Sequence, residues 1–297
     1  MYKRRRWKYG NIIEVKENRR AHCGAPGMPR QPKTNPTPET VRRQNQRRRE
    51  EQTERIIGAN FEQDDLVRTL TFAKEKRPES MKEAQHILKR FYERLRREYR
   101  KRYYELFWIA NIECTPRGAW HIHFLCNAIF GASDLIRDLW EQYGGVYDQK
   151  LKDLTGAGKK LGAYFAKTPE STTEGEHKVA EAKQSHSRNL IIPKPEEKNI
   201  TGWSMDDAPR TPKGYYLIKE SLYEGVTDDG WRYRGYKFAR IRPKPPRDRT
   251  YRPPGERNEN THLHSRGLFG DPERRSAIRL RDHGRGPGAE AAGHRHR

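Results

Sequence analysis

The sequence predicts an α+β domain in which helices pack on an antiparallel β-sheet. Short runs rich in β-branched and apolar residues are typical of strands, and one long segment repeats apolar residues at three- and four-residue steps, as an amphipathic helix does. These segments follow one another in the order strand, helix, strand, strand, helix, possible strand, helix. That order is close to the split βαβ arrangement, with the helices covering one face of the sheet.

The first part of the chain is expected to lie outside this domain. Residues 1–37 are rich in Arg, Pro and Gly without a sustained period, which predicts a flexible basic arm. Residues 38–57 look helical, with Thr37 as N-cap. Because they are nearly all charged, they fit a solvated helix and a helix that lies along phosphates equally well. We assign residues 1–59 to a basic N-terminal arm and a charged helix.

The first half of the domain is predicted from strand and helix patterns that begin near residue 60. Residues 66–72 (L-V-R-T-L-T-F) read as a strand, and residues 104–113 and 119–127 as two more. Between the first two strands, one apolar stripe predicts a helix. The stripe comprises Met81, Ala84, Leu88, Phe91, Leu95 and Tyr99.

The second half of the domain continues this alternation. Ser133 can cap a helix that runs to Tyr143, and a short strand is possible over residues 146–151. A last helix is predicted from about residue 155 to Lys167, because the pattern stops before Pro169.

Beyond this helix the sequence becomes polar. Residues 215–218 and 231–241 could add peripheral strands. After that Pro, Arg, Gly and His dominate, which predicts disorder. The domain is therefore predicted to span residues 60–245, followed by a basic disordered tail at 246–297.

Charge and cysteine content narrow the class of partner. The formal net charge of +22 attracts polyanions, which predicts a nucleic-acid partner. No apolar run is long enough to span a bilayer, and no basic segment has a clean apolar face, so we expect no membrane partner. The three cysteines lack C-x-x-C spacing, which argues against disulfides and a cysteine zinc site and makes the cytoplasm the natural compartment.

Two histidines in the third strand could bind a metal. His121 and His123 are two apart and therefore leave the same face of a strand. Two neutral imidazoles on one face are a good start for a divalent metal site. The alternative is a polar, solvated strand face with two incidental histidines.

A third ligand follows from hairpin geometry. The proline of loop 116–118 suits the first position of a type I turn, and its glycine suits the left-handed position that closes a three-residue hairpin loop. This loop places Glu113 opposite His121 and Asn111 opposite His123, on one face. A four-residue loop would turn Glu113 to the wrong side. The register thus favours a metal site of Glu113, His121 and His123.

A candidate nucleophile follows in the last helix. Tyr164 and Lys167 are three apart in L-G-A-Y-F-A-K, so on a helix the phenol and the ammonium would lie side by side. A nearby cation favours the phenolate, and a metal that polarises a phosphate eases attack by this weak nucleophile. The same spacing also fits an ordinary amphipathic helix with a half-buried tyrosine.

In their order and spacing these motifs resemble the series found in rolling-circle replication initiators of the HUH endonuclease superfamily. The fit is to the single-tyrosine class of plasmid or phage type. The series comprises T-L-T at residues 69–71, H-I-H at 121–123 and Y-F-A-K at 164–167. The glutamate eight residues before the first histidine, and S-R-N-L at 187–190, are also similar to elements of such proteins.

The resemblance implies a ferredoxin-like or RRM-like antiparallel sheet that carries Mg or Mn on one face, held by Glu113, His121 and His123. It implies that Tyr164, helped by Lys167, attacks a phosphodiester in a single-stranded hairpin origin. The 5′ end would stay on the tyrosine, and the free 3′ hydroxyl would prime synthesis by host helicase and polymerase. A second transesterification would release the circle.

Two other functions stay open at this stage. A related HUH transposase would share the metal site but cut transposon ends; the chain is long for that, and the T-L-T strand favours an initiator. A non-catalytic single-stranded nucleic-acid-binding protein could use a similar sheet, but RRM modules carry aromatics where this sequence places His and Glu. The basic aromatic segment 231–238 could stack on unpaired bases or could simply form an edge strand.

Overall fold

The computed structural model describes residues 2–19, 37–150, 161–169, 179–201, 205–227, 230–245 and 247–253. Their helices are α1 (Pro38–Asn60), α2 (Met81–Lys101) and α3 (Ala132–Trp140), with a 3-10 helix at Lys74–Lys76 and a helical turn at residues 161–165. Their strands are β1 (Tyr2–Tyr9), β2 (Ile12–Arg19), β3 (Leu66–Thr71), β4 (Trp108–Cys114), β5 (Trp120–Cys126), β6 (Val146–Lys150), β7 (Glu181–His186), β8 (Glu196–Ile200), β9 (Tyr215–Val226) and β10 (Arg232–Arg240). No helix within these ranges combines the length and apolar character that crossing a bilayer requires.

The strands form two five-stranded antiparallel sheets. The core sheet has the order β6-β3-β5-β4-β7, and the second sheet has the order β8-β1-β2-β10-β9. In the core sheet, β3, β4, β5 and β6 connect through α2 and α3 as the split βαβ arrangement requires, which confirms the predicted α+β fold. The unpredicted strand β7 pairs with β4 at the sheet edge. Its sequence, E-A-K-Q-S-H, is polar and gives no strand signal.

One face of the core sheet packs against α2 and α3. The apolar stripe predicted for α2 is buried there. The strands contribute the residues that alternate toward it, which are Leu70, Trp108, Ala110, Ile112, Trp120, Ile122 and Phe124. Phe91 of α2 meets both Phe124 and Trp140 edge to face, at 5.4 and 5.3 Å between ring centroids. These aromatic contacts join the two helices to the sheet.

The predicted start of α3 is wrong. Its N-cap is Gly131, at φ 73°, and Ser133 lies inside the helix. The Ser133 hydroxyl instead accepts a hydrogen bond of 2.7 Å from Nη2 of Arg68 on β3. The serine therefore joins the helix to the sheet, a contact that local sequence does not reveal.

The other face of the core sheet packs against the C-terminal half of α1. Ile56 and Ile57 are buried there with Phe165 from the helical turn. Helices thus lie on both faces, and the expectation of one covered face holds for α2 and α3 alone. The predicted cap of α1 is confirmed, since Oγ1 of Thr37 accepts from the Thr40 N–H at 3.3 Å. The solvated character expected of α1 applies only to its exposed N-terminal half.

The prediction of a flexible arm is wrong for residues 2–19, which form the β1–β2 hairpin of the second sheet. The charges that suggested a solvated arm are paired across this sheet. Lys3, for example, lies 2.6 Å from a carboxylate oxygen of Glu197 on β8. Partners so distant in sequence cannot be seen in the composition of the arm. Residues 20–36 of the predicted arm lie outside the described residues.

The predicted disordered tail, residues 246–297, also begins too early. Arg249 forms a two-pronged ion pair with the buried carboxylate of Asp65, at 2.6 and 2.7 Å. This pair holds the chain against the start of β3. Residues 254–297 lie outside the described residues, and the domain boundaries after residues 59 and 245 stay predictions.

Buried ion pairs attach the second sheet to α1. Nε and Nη2 of Arg55 each donate to the Glu14 carboxylate of β2 at 2.8 Å. The Arg55 guanidinium also lies 4.0 Å over the ring of Trp7 on β1. Nζ of Lys16 lies 2.5 Å from Glu51. The helix is therefore held by charge on the side that faces the second sheet and by apolar contact on the side that faces the core sheet.

Glu14→Gln should destabilise the protein by about 3 kcal/mol at neutral pH, because it leaves the buried Arg55 without its carboxylate. Burial tends to raise the pKa of Glu14, but Arg55 outweighs burial and lowers that pKa below its ordinary value. The stabilisation is thus present above the unfolded pKa of about 4.3 and is lost as the pH falls through the lowered folded value. Urea denaturation as a function of pH measures the difference.

The matched control is Glu39→Gln, which breaks the exposed pair with Arg43 on the same helix and should leave stability almost unchanged. A gap between wild type and Glu14→Gln that stays constant as the pH falls would contradict the role assigned to this pair.

Candidate metal centre and neighbouring tyrosine

The hairpin between β4 and β5 has the predicted three-residue loop. The N–H of Gly118 closes a β-turn over the loop at 2.9 Å, and Gly118 has φ 73°, in the left-handed region that favours glycine. The register that follows places Glu113 opposite His121 and Asn111 opposite His123. The predicted pairing is therefore confirmed.

This register brings Glu113, His121 and His123 together. One carboxylate oxygen of Glu113, Oε2, lies 3.2 Å from Nε2 of His121 and 3.4 Å from Nε2 of His123. One possible ligand atom from each residue lies within 4.8 Å of the others. Glu113 and His123 are buried, and the His121 side chain is 21% exposed. This buried group could hold a metal ion, and its accessible edge is at His121.

The surroundings favour the protonation states that bind cations. Burial by itself would raise the pKa of Glu113, but the hydrogen bonds and charges of His121 and His123 outweigh it and hold that pKa at about 2. Burial lowers the pKa of His123, the charges of His121 and Lys167 add to this, and Glu113 opposes it. A carboxylate beside a neutral imidazole is the state in which both can donate electron pairs to a metal.

Asn111 orients the carboxylate. It is fully buried on β4, and its Nδ2 donates to Oε1 of Glu113 at 2.8 Å and to the carbonyl oxygen of Lys167 at 3.3 Å. The bond to Oε1 leaves Oε2 of Glu113 facing the two histidines. The sequence placed Asn111 opposite His123 but assigned it no role, because a strand asparagine carries no pattern of its own.

Tyr164 lies directly against His123. Its hydroxyl is hydrogen-bonded to Nδ1 of His123, and the ring centroids are 4.1 Å apart. Thr69 of β3 lies opposite His123 in the sheet, and its Oγ1 is 3.4 Å from both His123 Nδ1 and Tyr164 Oη. The T-L-T strand thus contributes a hydroxyl to the site. Its position beside the histidine strand follows from strand order, which the motif alone does not give.

Lys167 follows the helical turn instead of lying within it. The helical residues end at 165, so the side-by-side placement expected for Tyr164 and Lys167 from helical spacing does not follow. The carbonyl of Lys167 is bound by Asn111, and its charge favours the neutral form of His123. The early end fits the approach of Pro169. The predicted helical residues 155–160 lie outside the described residues.

The segment that carries Tyr164 is clamped by α1. Nε2 of Gln46 donates to the Ala166 carbonyl at 3.0 Å, and the Thr168 hydroxyl donates to Oε1 of Gln46 at 3.1 Å. Gly162 packs so tightly on α1 that a β-carbon there would lie 2.7 Å from the Glu50 carbonyl oxygen. The charged helix therefore positions the tyrosine segment, a role that sequence reasoning missed because it depends on tertiary contact.

The S-R-N-L motif at residues 187–190 anchors the chain beyond β7. The Ser187 hydroxyl accepts from the Trp108 N–H at 3.1 Å, and Nδ2 of Asn189 donates to the Leu106 carbonyl at 3.2 Å. These bonds tie the motif to the start of β4. Its contacts are with the core sheet and not with the histidines.

Comparison with known proteins identifies one related segment. Residues 65–170 match the model of a family of replication-associated proteins, the ORF2 type. This segment runs from the start of β3 to beyond Tyr164 and leaves out α1 and the second sheet. No curated protein and no solved structure gives a significant match. The match relates the part of the chain that carries the three motifs to replication-associated proteins.

Mn²⁺ should raise the thermal unfolding midpoint of the wild-type protein, because an ion that binds only the folded state stabilises it. His121→Ala removes one donor and should weaken the apparent Mn²⁺ affinity at least about tenfold, since even changes to residues that only orient a metal ligand commonly cost 10- to 100-fold. Unfolding followed over a range of Mn²⁺ concentrations measures both proteins.

His186→Ala is the matched control, because His186 lies on the edge strand β7, outside the group. The metal assignment would be wrong if His121→Ala and wild type responded to Mn²⁺ alike.

Proposed function

We propose that this protein is a rolling-circle replication initiator of the single-tyrosine HUH type that nicks and rejoins single-stranded origin DNA. One observation carries the proposal. The Tyr164 hydroxyl is hydrogen-bonded to one ring nitrogen of His123, whose other ring nitrogen faces Glu113 in the candidate metal group. The match of residues 65–170 to replication-associated proteins supports a role in DNA replication.

The residues present fit a divalent metal ion. His121, His123 and Glu113 would hold it through two imidazole nitrogens and one carboxylate oxygen. Of the two ions that we consider, Mg and Mn, this mixed donor set suits Mn better, because Mg strongly prefers oxygen ligands. When bound, the ion would polarise the scissile phosphate and offset its charge.

His123 prepares the nucleophile. With Nε2 directed toward Glu113, neutral His123 carries its proton on Nδ1, from which it can donate to the Tyr164 oxygen. A hydrogen bond donated to the oxygen favours the phenolate, which a free phenol with a pKa of about 10 rarely reaches near neutral pH. The Thr69 hydroxyl, 3.4 Å away, helps to hold the phenol oxygen in place.

The nicking step exchanges one phosphodiester for another. The Tyr164 oxygen attacks phosphorus, the bond from phosphorus to the 3′ oxygen breaks, and the 5′ phosphate stays on the tyrosine. The departing oxygen takes up a proton and becomes the 3′ hydroxyl that primes synthesis. Attack of a 3′ hydroxyl on the phosphotyrosine later rejoins the strand and frees Tyr164. Because bond types balance, neither step needs an external energy source.

Lys167 contributes charge to this reaction. The end of the helical turn places it beyond Tyr164, with its backbone fixed by Asn111. Its ammonium would offset the negative charge that builds up on the pentacoordinate phosphorus. The substrate would be a single-stranded hairpin origin, and host helicase and polymerase would extend the primer in the cytoplasm.

Tyr164→Phe should abolish the covalent protein–DNA adduct, because it removes the attacking oxygen while the ring is retained. The assay incubates the protein with Mn²⁺ and labelled single-stranded origin hairpins and separates adducts on a denaturing gel. Tyr147→Phe, at a 64% exposed tyrosine of β6, is the control and should keep the adduct.

His121→Ala should also lose the adduct but keep salt-sensitive DNA binding, since the metal group and the cationic surface are separate. An adduct that persists in Tyr164→Phe would mean that another residue is the nucleophile. Absence of any adduct with wild type, across the origins tested, would favour a non-catalytic binding protein.

Gln46→Ala should slow single-turnover nicking roughly tenfold or more, because small errors in the placement of a nucleophile cost this much. Mn²⁺ affinity should not change, since Gln46 contacts only the segment after Tyr164. The exposed neighbour Asn45→Ala is the control. A nicking rate equal to wild type at saturating DNA would show that the clamp does not position the tyrosine.

A further inference from the structure

A groove of about 710 Å³ lies between the N-terminal half of α1 and one face of the second sheet. On the sheet side it follows one row of cross-strand neighbours, namely Arg5, Lys16, Gly235 and Tyr223. On the helix side it is lined by Arg47 and Arg48. The groove shares no lining residue with the candidate metal group and lies outside the segment matched to replication-associated proteins.

Two tyrosine rings form part of the floor. Tyr223 of β9 lies opposite Gly235, and Tyr233 of β10 lies opposite Gly225. A β-carbon at either glycine would overlap the facing ring, so the missing side chains let both rings lie across the neighbouring strand. Each tyrosine remains 37% exposed, and the ring centroids are 6.5 Å apart. Exposed rings in a cationic groove can stack on unpaired bases.

The groove also contains cationic groups that have no partner among the described residues. Arg48 makes no hydrogen bond or ion pair that involves a described residue. Nε of Arg5 is buried and has no acceptor among the described atoms, while its Nη2 reaches Asn18 at 3.3 Å. A buried guanidinium N–H without an acceptor is costly, and a phosphate oxygen would satisfy it.

The two carboxylates that line the groove are already neutralised. Glu17 is paired with Arg234 at 2.5 Å. Glu51 is paired with Lys16 at 2.5 Å and with Arg47 at 3.2 Å. The groups left to meet a ligand are therefore cations and aromatic rings.

We propose that this groove is a second binding site for single-stranded DNA, distinct from the nicking site. Phosphates meet Arg5 and Arg48, and unpaired bases stack on Tyr223 and Tyr233. Duplex DNA is a poorer ligand, because its base faces are already stacked on one another. The choice of DNA over RNA rests on the proposed function, whereas the recognition of an unpaired strand rests on the groove itself. Since α1 carries both Arg48 and Gln46, one helix lines this groove and also holds the tyrosine segment.

The test measures binding of a long fluorescein-labelled oligothymidine by fluorescence anisotropy. All proteins carry Tyr164→Phe and are kept in EDTA, so that neither nicking nor the metal contributes. Replacing Tyr223 and Tyr233 together by Ala should weaken binding roughly tenfold or more, and replacing both by Phe should not, because phenylalanine keeps the ring. Tyr216→Ala is the matched control, because this 48% exposed tyrosine of the same strand lies outside the groove.

Arg48→Gln gives a second measurement that cannot be confused with misfolding, because Arg48 is exposed and contacts no described partner. It should reduce the slope of log affinity against log salt concentration by about 0.7, the value for one phosphate of a single strand. Arg43→Gln removes the same charge from α1 outside the groove and should change the slope less.

Three results would overturn the proposal. They are unchanged binding by the double Ala variant, an equal loss of duplex and single-strand binding, and equal slopes for Arg48→Gln and Arg43→Gln. The covalent-adduct assay, run separately on chains that retain Tyr164, reports on the proposed function. An adduct that forms normally while groove binding fails would leave the nicking function intact, and the reverse result would leave the groove intact.

Discussion

The candidate site depends on one constraint, the register that the three-residue turn sets between β4 and β5. Side chains alternate along a strand, so a slip of one residue would turn Glu113 into the apolar layer under α2 and α3 and leave the histidines without their carboxylate. The turn sets this register through backbone geometry, with Gly118 in the left-handed region. The donor group is thus assembled by the sheet itself, and the tyrosine then needs only to be brought against its inner histidine.

That second task belongs to α1, which serves two sides of the molecule. Its C-terminal half is buried against the core sheet, and Gln46 holds the segment behind Tyr164. Its charged side faces the second sheet through buried pairs such as Arg55–Glu14. A helix whose sequence alone suits either solvent or phosphates therefore acquires its place from partners on both sides. The nicking segment and the proposed strand-binding groove share this helix as a common wall.

Much of this arrangement was predictable from the sequence, and the parts that were not share a physical cause. The strands with apolar alternation, the stripe of α2 and the Glu113–His121 register follow from local periodicity and turn chemistry. The β1–β2 hairpin and β7 were missed because polar and charged strands show no such period, and their stability comes from distant partners such as Glu197. Gln46 was missed for the same reason, since its clamp exists only once the chain has folded.

The second sheet places β2, near the start of the chain, beside β10, near the end of the described residues. On the ribosome, β2 therefore has no neighbour on that side until almost the whole described chain has been made, and such distant pairings form slowly. A chain that stopped before β10 would still contain the core strands, both histidines and the tyrosine. It would lack Lys237, which ties β10 to α1 through Glu54. Support for the tyrosine segment is thus complete only late in translation, well after the residues of the metal group have been made.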